Sequence, residues 1–265
     1  MQKTILFIHG AWVTPLCWSN FRSFFEAEGY RCLAPAWPYV GANPDPRLAK
    51  TTVKDLVDFY ASEIRQLAEP PILIGHSFGG LIVQLLLDRG LGLAGVAIDP
   101  GPPRGVIPSP RAVLSALPVL TAFMGWNRIL AMSFKGFAAT FANSLPGKDM
   151  RRAYAEHIVP APGRIYFQAA LGVGVGLDFK RADRAPLLLV AGENDKTSTP
   201  DMVRAMYKRH SRSPAATDFL SFPGRSHWLI AEPGWDEVAG GISEWIAKRA
   251  PQPMGIGGVT SRSPA

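Results

Sequence analysis

Short runs that are apolar throughout alternate along the chain with longer stretches in which apolar residues return every three or four positions. "TILFIHG" is a β-rich run closing on glycine, and "CWSNFRSFFEAEGY" reads as a helix that Gly29 terminates. "RCLAPAW" predicts a second strand. In "TTVKDLVDFYASEIRQLAE", Val53, Leu56, Val57, Tyr60, Ile64 and Leu67 recur at helical spacing. "PPILIGHS" predicts strand three and "GGLIVQLLLDRG" the helix leaving it. "LAGVAIDP", "APLLLVAGEND" and "TDFLSFPG" predict strands four, five and six. Before the sixth, "TPDMVRAMYKRH" offers Thr199 as N-cap, Pro200 in the first turn and Asp201 at the positive end of the helix dipole. A last helix runs through Trp235, Val238, Ile242, Trp245 and Ile246. Strands without polar alternation are buried on both faces, which implies an α/β chain with a parallel sheet between two helix layers.

Residues 102–181 break this alternation, being far longer than a crossover requires. They hold aromatic helix-like stretches, "SFKGFAATFANS" and "RRAYAEHIVP", and end in the hinge-like "LGVGVG". The expected organisation is a core of residues 1–101 and 182–250 with a helical cap, 102–181, inserted over the sheet. The tail, 251–265, has the Pro, Gly and Ser content of a disordered end.

Composition narrows the class. The 265 residues are 47% hydrophobic and 18% charged, as in a globular protein with a substantial core. No apolar run approaches the ~20 residues that span a bilayer, so no stable membrane insertion is expected. "MQKTILFIHG" has too short an apolar run for the core of a signal peptide, and a cytoplasmic location is expected. Cys17 and Cys32 lack C-x-x-C spacing and read as two reduced thiols. The net charge of +7 is unevenly spread. Residues 102–185 carry 11 basic and 4 acidic side chains, leaving 17 of each sign elsewhere. Such a cap suits a solvated basic surface first, and steering of anionic substrates or an anionic lipid surface second. No recognition motif accompanies the charge, so nucleic acid is not an expected partner.

The chemistry concentrates at residues 72–82, "ILIGHSFGGLI". The pattern G-x-S-x-G falls where a strand ends and a helix begins, at the carboxyl edge of a parallel sheet, where ligands bind. Ser77 is therefore the expected nucleophile. A serine hydroxyl needs a base, and the base an orienting acid. His9 and His76 sit within turn motifs and read as structural; His157 and His210, in charged helical stretches, read as solvated. His227, in the loop "FPGRSHWLIAEPGW" after the last strand, is the expected base. For the acid, Asp195 after strand five is favoured, with Asp99 after strand four as the fallback and Glu193 the weakest choice. Asp195 gives the chain order Ser, Asp, His, and it precedes Lys196, Thr197, Ser198 and Thr199, whose amides and hydroxyls can hold a carboxylate. Backbone amides for a developing oxyanion are expected from Phe78 and from the "HGAW" loop, Ala11 first and Trp12 second.

"LFIHGAW", "IGHSFGG", "VAGEND" and "GRSHW", in this order and spacing, resemble the α/β-hydrolase superfamily over about residues 2–250. The "HGAWVTPLCW" loop is similar to that of small esterases in the group of plant methylesterases and hydroxynitrile lyases. The resemblance implies a six-stranded, mostly parallel sheet of order 2-1-3-4-5-6 and the triad Ser77, Asp195 and His227. The lyases carry threonine where this chain has Gly10, which argues against their chemistry. "GLGLAG" follows a helix and precedes a strand, the reverse of a dinucleotide fingerprint, and no histidine or cysteine cluster has metal-ligand spacing; no cofactor or metal is expected. The expected activity is cleavage of a carboxylic ester, or of a lactone or thioester, through an acyl-enzyme. A cofactor-free lyase, a perhydrolase and a hydrolase-derived ligand receptor are the alternatives. Trp12, Phe123, Trp126, Phe137 and Trp228 are the expected pocket residues, with Phe134, Phe141 and Phe167 contributing, so the small-molecule substrate is expected to be apolar or aromatic.

Overall fold

The structure, a computed structural model, describes residues 2–250. In chain order it runs β1 (Thr4–Ile8), α1 (Ser19–Ala27), β2 (Arg31–Leu33), α2 (Val53–Arg65), β3 (Ile72–His76), α3 (Phe78–Asp88) and β4 (Ala94–Ile98). Next come α4 (Pro110–Leu120), β5 (Ile129–Leu130), α5 (Phe134–Gly136), α6 (Gly147–His157), β6 (Ala161–Pro162) and α7 (Arg164–Ala170). The chain closes with β7 (Leu187–Gly192), α8 (Pro200–His210), β8 (Thr217–Phe222) and α9 (Trp235–Arg249). The main sheet has six strands in the order β2-β1-β3-β4-β7-β8, every pair parallel. Counting only these strands, this is the expected 2-1-3-4-5-6. The expected disordered tail lies outside the described residues.

Burial follows position in the sheet. β3, β4 and β7 are buried at every residue, whereas β8, at the edge, is half-buried throughout. Helices start and stop on local chemistry. Thr52 and Asp55 form a reciprocal capping box at the head of α2. At the end of α1, Gly29 (φ +87°) lets Tyr30 donate to Phe25 and Gly29 to Glu26, closing the helix with a left-handed cap.

Several boundaries differ from the sequence expectation. Pro15–Trp18 form a separate 3₁₀ turn, so α1 begins only at Ser19. Leu67 lies beyond the end of α2. Thr199 occupies the N-cap position of α8, but its hydroxyl bonds Ser109 rather than a helix amide. His210 is not solvated: it is buried under Phe179 and bonds Gln84, because the apolar side of α8 turns it towards α3.

The residues between β4 and β7 form a mostly helical insert carrying its own two-stranded antiparallel sheet, β5 with β6. "SFKGFAATFANS" gives the single turn α5 and a π-helical turn, Phe137–Phe141, rather than one helix. The two ends of the insert are tied, with Arg104 donating to the Val175 carbonyl at 2.8 Å. The hinge-like "LGVGVG" accommodates the Arg104 side chain: a Cβ on Gly172 or Gly176 would meet it at 3.1 Å.

Candidate active site

Ser77 joins β3 to α3 with φ +56° and ψ −121°, a conformation non-glycine residues rarely adopt. Its neighbours explain how the chain turns so tightly. A Cβ on Gly79 would lie 2.0 Å from the Ile8 carbonyl oxygen, and one on Gly75 would lie 2.3 Å from the Gly79 oxygen. Only glycine lets α3 leave the sheet this close to β1 and β3. The serine backbone is tied on both sides: its amide donates to Ile98 at 2.9 Å, and its carbonyl accepts from Gly101 at 3.0 Å.

The loop after β1 rests directly on this elbow. A Cβ on Gly10 would sit 2.8 Å from the Ser77 Cβ, so that position also requires glycine. His9 holds the loop: its Nε2 accepts from the Trp37 amide at 3.0 Å, its Nδ1 donates to Gly10, and its ring stacks on Trp37. Burial pulls His9 down to about 4, so it stays a neutral structural bridge. Trp12 takes φ +72°, and its carbonyl accepts from Val159 of the insert at 2.8 Å. The amides of Ala11 and Phe78 have no protein acceptor among the described residues.

Asp195 and His227 meet in the interior. Asp195 Oδ2 accepts from His227 Nδ1 at 2.6 Å, with both side chains buried. Asp195 Oδ1 accepts from the amides of Thr197 at 2.6 Å and Ser198 at 2.9 Å, as the turn after β7 suggested. The hydroxyls there go elsewhere, Thr197 to Thr140 and Ser198 to Pro100. With Nδ1 donating to the carboxylate, His227 keeps Nε2 as its free acceptor, buried and without a partner among the described residues.

The histidine loop has supports that the sequence reading did not identify. Glu232 accepts from the Ser226 amide at 2.8 Å and from its hydroxyl at 2.5 Å. Arg225 bridges Glu237 and the Pro233 carbonyl. His76, next to Ser77 in the chain, donates Nε2–H to the His227 carbonyl at 2.8 Å, and the two rings lie 4.6 Å apart. Burial and the neighbouring His227 hold His76 well below the usual histidine range. No periodicity marks such contacts: Ser226 and Glu232 are six residues apart within one loop, and His76 reaches the loop from the end of β3.

Asp99 stands beside the pair. One oxygen accepts from the Gly192 amide at 2.9 Å, while the other is buried without a partner. Burial, then the adjacent Asp195 carboxylate, push the Asp99 carboxyl well above the ordinary range, disfavouring its ionised form. His76, Asp99 and His227 offer ligand atoms within 4.8 Å of one another. One atom of each is engaged in a hydrogen-bonded support, His76 Nε2 with the His227 carbonyl, His227 Nδ1 with Asp195 and one Asp99 oxygen with Gly192. His76 Nδ1, His227 Nε2 and the other Asp99 oxygen are buried without a partner among the described residues.

Ser77 opens on a cavity of about 180 Å³ between the sheet edge and the insert. Of the aromatic residues expected to line it, Trp12 and Phe141 do. Phe137 and Trp228 do not, since they pack against each other and Phe141 in the buried layer behind it. Phe123 and Trp126 lie exposed on the outside of the insert. Tyr166, missed from the sequence, lines the cavity and packs against Trp12 at 5.6 Å and Phe78 at 5.4 Å. Leu130, Met132 and Val119 form an apolar wall beside the hydroxyl residues Ser115, Ser133, Thr140 and Thr197, and among the described residues no charged side chain lines the cavity.

Comparison with known proteins agrees with this architecture. The alpha/beta hydrolase family matches residues 5–240, and the chain belongs to that family. Among solved structures, a monoacylglycerol lipase from Paleococcus ferrophilus superposes with a TM-score of 0.69 at 22% identity, covering 93% of this chain and 94% of that one. The methylesterase MES16 from Arabidopsis gives 0.71 at 13% identity, over 93% and 99%. Tomato methylketone synthase I gives 0.70 at 17%, over 94% and 99%. These identities speak for the fold. A curated relative, norfluorocurarine synthase 2 from Strychnos sp, is 31% identical over 93 residues, which are 33% of this chain and 34% of that protein.

Proposed function

We propose that this chain is a serine esterase that cleaves carboxylic esters with a small apolar or aromatic acyl group through an acyl-enzyme. The observation that carries this reading is the buried 2.6 Å pairing of His227 Nδ1 with Asp195, on a loop bonded to the residue preceding the strained Ser77. Esterases and a lipase among the structural neighbours support the reaction class.

In this mechanism His227 Nε2 takes the Ser77 proton as Oγ attacks the ester carbonyl. Asp195 fixes the tautomer and stabilises the imidazolium. The amides of Ala11 and Phe78 donate to the oxyanion of the tetrahedral intermediate, supplying preorganised dipoles at the moment charge develops. Collapse of the intermediate breaks the ester C–O bond, and the imidazolium returns its proton to the departing alkoxide. Water, deprotonated by His227, then attacks the acyl-serine and releases the acid. Ser77 Oγ and His227 Nε2 are not hydrogen-bonded in the structure, and this mechanism requires them to close to that distance when substrate binds, a tightening usual for unliganded sites.

A cavity of about 180 Å³ fits a short acyl chain or one aromatic ring, since ~150 Å³ accommodates benzene. Its uncharged wall disfavours ionised acyl groups. The insert serves as the cap that closes this acyl site. Incubation with a panel of nitrophenyl esters, lactones and thioesters should give a burst of released alcohol, largest for short or aromatic acyl esters. A fluorophosphonate should label Ser77 alone. Peracid formation from acetate and peroxide without ester turnover would instead assign a perhydrolase, and ligand binding without turnover a receptor.

A further inference from the structure

Among the described residues, the outer face of the insert leaves several large apolar side chains in solvent. Phe123 is 84% exposed, Leu171 77%, Leu114 65% and Trp126 48%. Leu114 sits on α4, Phe123 between α4 and the turn Gly125–Asn127, Trp126 in that turn and Leu171 just after α7. The three elements pack on one another, with Trp126 edge-on to Phe167 at 5.9 Å. Among the described residues, nearly all the large exposed apolar side chains fall in this insert. Charge on the same segment is one-sided. Residues 100–148 contain Arg104, Arg111, Arg128, Lys135 and Lys148 and no Asp or Glu. Arg128 reaches the Phe123 carbonyl, and Arg164 reaches Asn127 beside Trp126. Among the described residues, Arg104, Arg128, Lys135 and Arg164 form no ion pair.

We infer that this face docks reversibly on an anionic lipid surface, with Leu114, Leu117, Phe123 and Trp126 entering the headgroup–acyl boundary and the cations engaging lipid phosphates. Large apolar side chains beside unpaired basic ones match that interface from both sides. A second copy of the chain is the poorer occupant, because face-to-face pairing would oppose two basic surfaces. Water alone leaves the apolar cluster unsatisfied. Docking does not depend on the proposed esterase activity. One consequence does: α4 turns Ser115, Ala116 and Val119 into the cavity while Leu114 and Leu117 face outward. A lipid-bound enzyme would thus present its acyl cavity on the other side of the docked helix.

The test uses the full chain carrying Ser77→Ala, so that binding is read without turnover. It is sedimented with vesicles of phosphatidylcholine alone and of phosphatidylcholine mixed with phosphatidylglycerol, with the emission of its tryptophans recorded. Binding is expected only to the anionic vesicles, with a blue shift, and should weaken about tenfold in high salt, which screens the cations. The variant Leu114→Ser/Leu117→Ser/Phe123→Ser should lose about tenfold or more in vesicle affinity. With Ser77 restored, the same triple variant should keep wild-type turnover of a water-soluble ester, showing that it is folded. Equal binding by the triple variant, or no binding to anionic vesicles, overturns the inference. So does concentration-dependent dimerisation that the triple variant abolishes, which would seat a second copy on this face. Absence of ester turnover in the wild type would count against the esterase reading and leave the binding result standing.

Discussion

The carboxyl edge of the sheet and the insert above it are built on opposite terms. Around the elbow there is no spare room: a single added methyl at Gly75, Gly79 or Gly10 would collide with backbone or with Ser77 itself. Several polar groups there are buried and paired between segments, from His9 to Trp37 and from His227 to Asp195. The insert has short, irregular elements, large apolar side chains left in solvent and an unbalanced positive charge. A site that must hold a nucleophile to within a fraction of an ångström belongs on the first kind of structure. The second kind can change its contacts at low cost, which suits substrate selection and surface contact.

The largest test of this contrast is Ser77→Ala. It should reduce kcat on the order of 10⁶-fold while leaving the unfolding midpoint unchanged, because the elbow strain is in the backbone. A correctly folded Ser77→Ala enzyme keeping more than a tenth of its activity would remove the serine mechanism.

Next, Asp195→Asn should lose about 10⁴-fold in kcat, since His227 would be left in the wrong tautomer. Asp99→Asn should lose far less, because asparagine can still accept from the Gly192 amide and Asp99 makes no bond to His227. The stability consequence has a definite sign. A carboxyl protonated in the fold but ionised when unfolded costs stability as pH rises above the ordinary carboxylate range. Asp99→Asn removes that cost, so its urea midpoint at pH 8 should equal or exceed that of the wild type. Reversed kinetics for the two aspartates would transfer the orienting role to Asp99.

Gly79→Ala should destabilise by about 3 kcal/mol, as overpacking against the Ile8 carbonyl demands. Gly147→Ala, at the start of α6 in the insert with nothing within 4 Å, should instead gain about 0.5 kcal/mol. Matching urea midpoints for the two variants would erase the packing contrast.

Acid should act first on the core. His9 and His210 are buried and held at about 4 and about 3, below the ordinary 6.5 that the unfolded chain recovers. The unfolded state therefore binds more protons below pH 6.5, and stability is lost as pH falls from there towards 4. Between pH 6.5 and 5 the two together should cost about 3 kcal/mol, read from denaturation curves at each pH. A flat profile over that range would mean these imidazoles are protonated in the fold.

Much of the architecture was legible from the chain because it rests on local patterns. Runs such as "ILIGH" and "LLLVAG" are apolar on both faces, a condition met in a parallel sheet, and Gly-x-Ser-x-Gly at a strand end permits only a narrow set of turns. That amides following Asp195 would hold its carboxylate was also readable, from their place in the chain. That Asp99 lies against the same carboxylate was not, since the contact closes between β4 and β7 across 96 residues of sequence. His210 looked solvated among charged neighbours, yet the register of α8 against α3 buries it. The aromatic residues of the insert were the least legible. Phe123, Phe137, Phe141 and Tyr166 are chemically alike in sequence, but one faces solvent, one is core, and two line the cavity. Hydrophobicity fixes how strongly a side chain avoids water; only the packing of several short elements on one another determines which surface it meets.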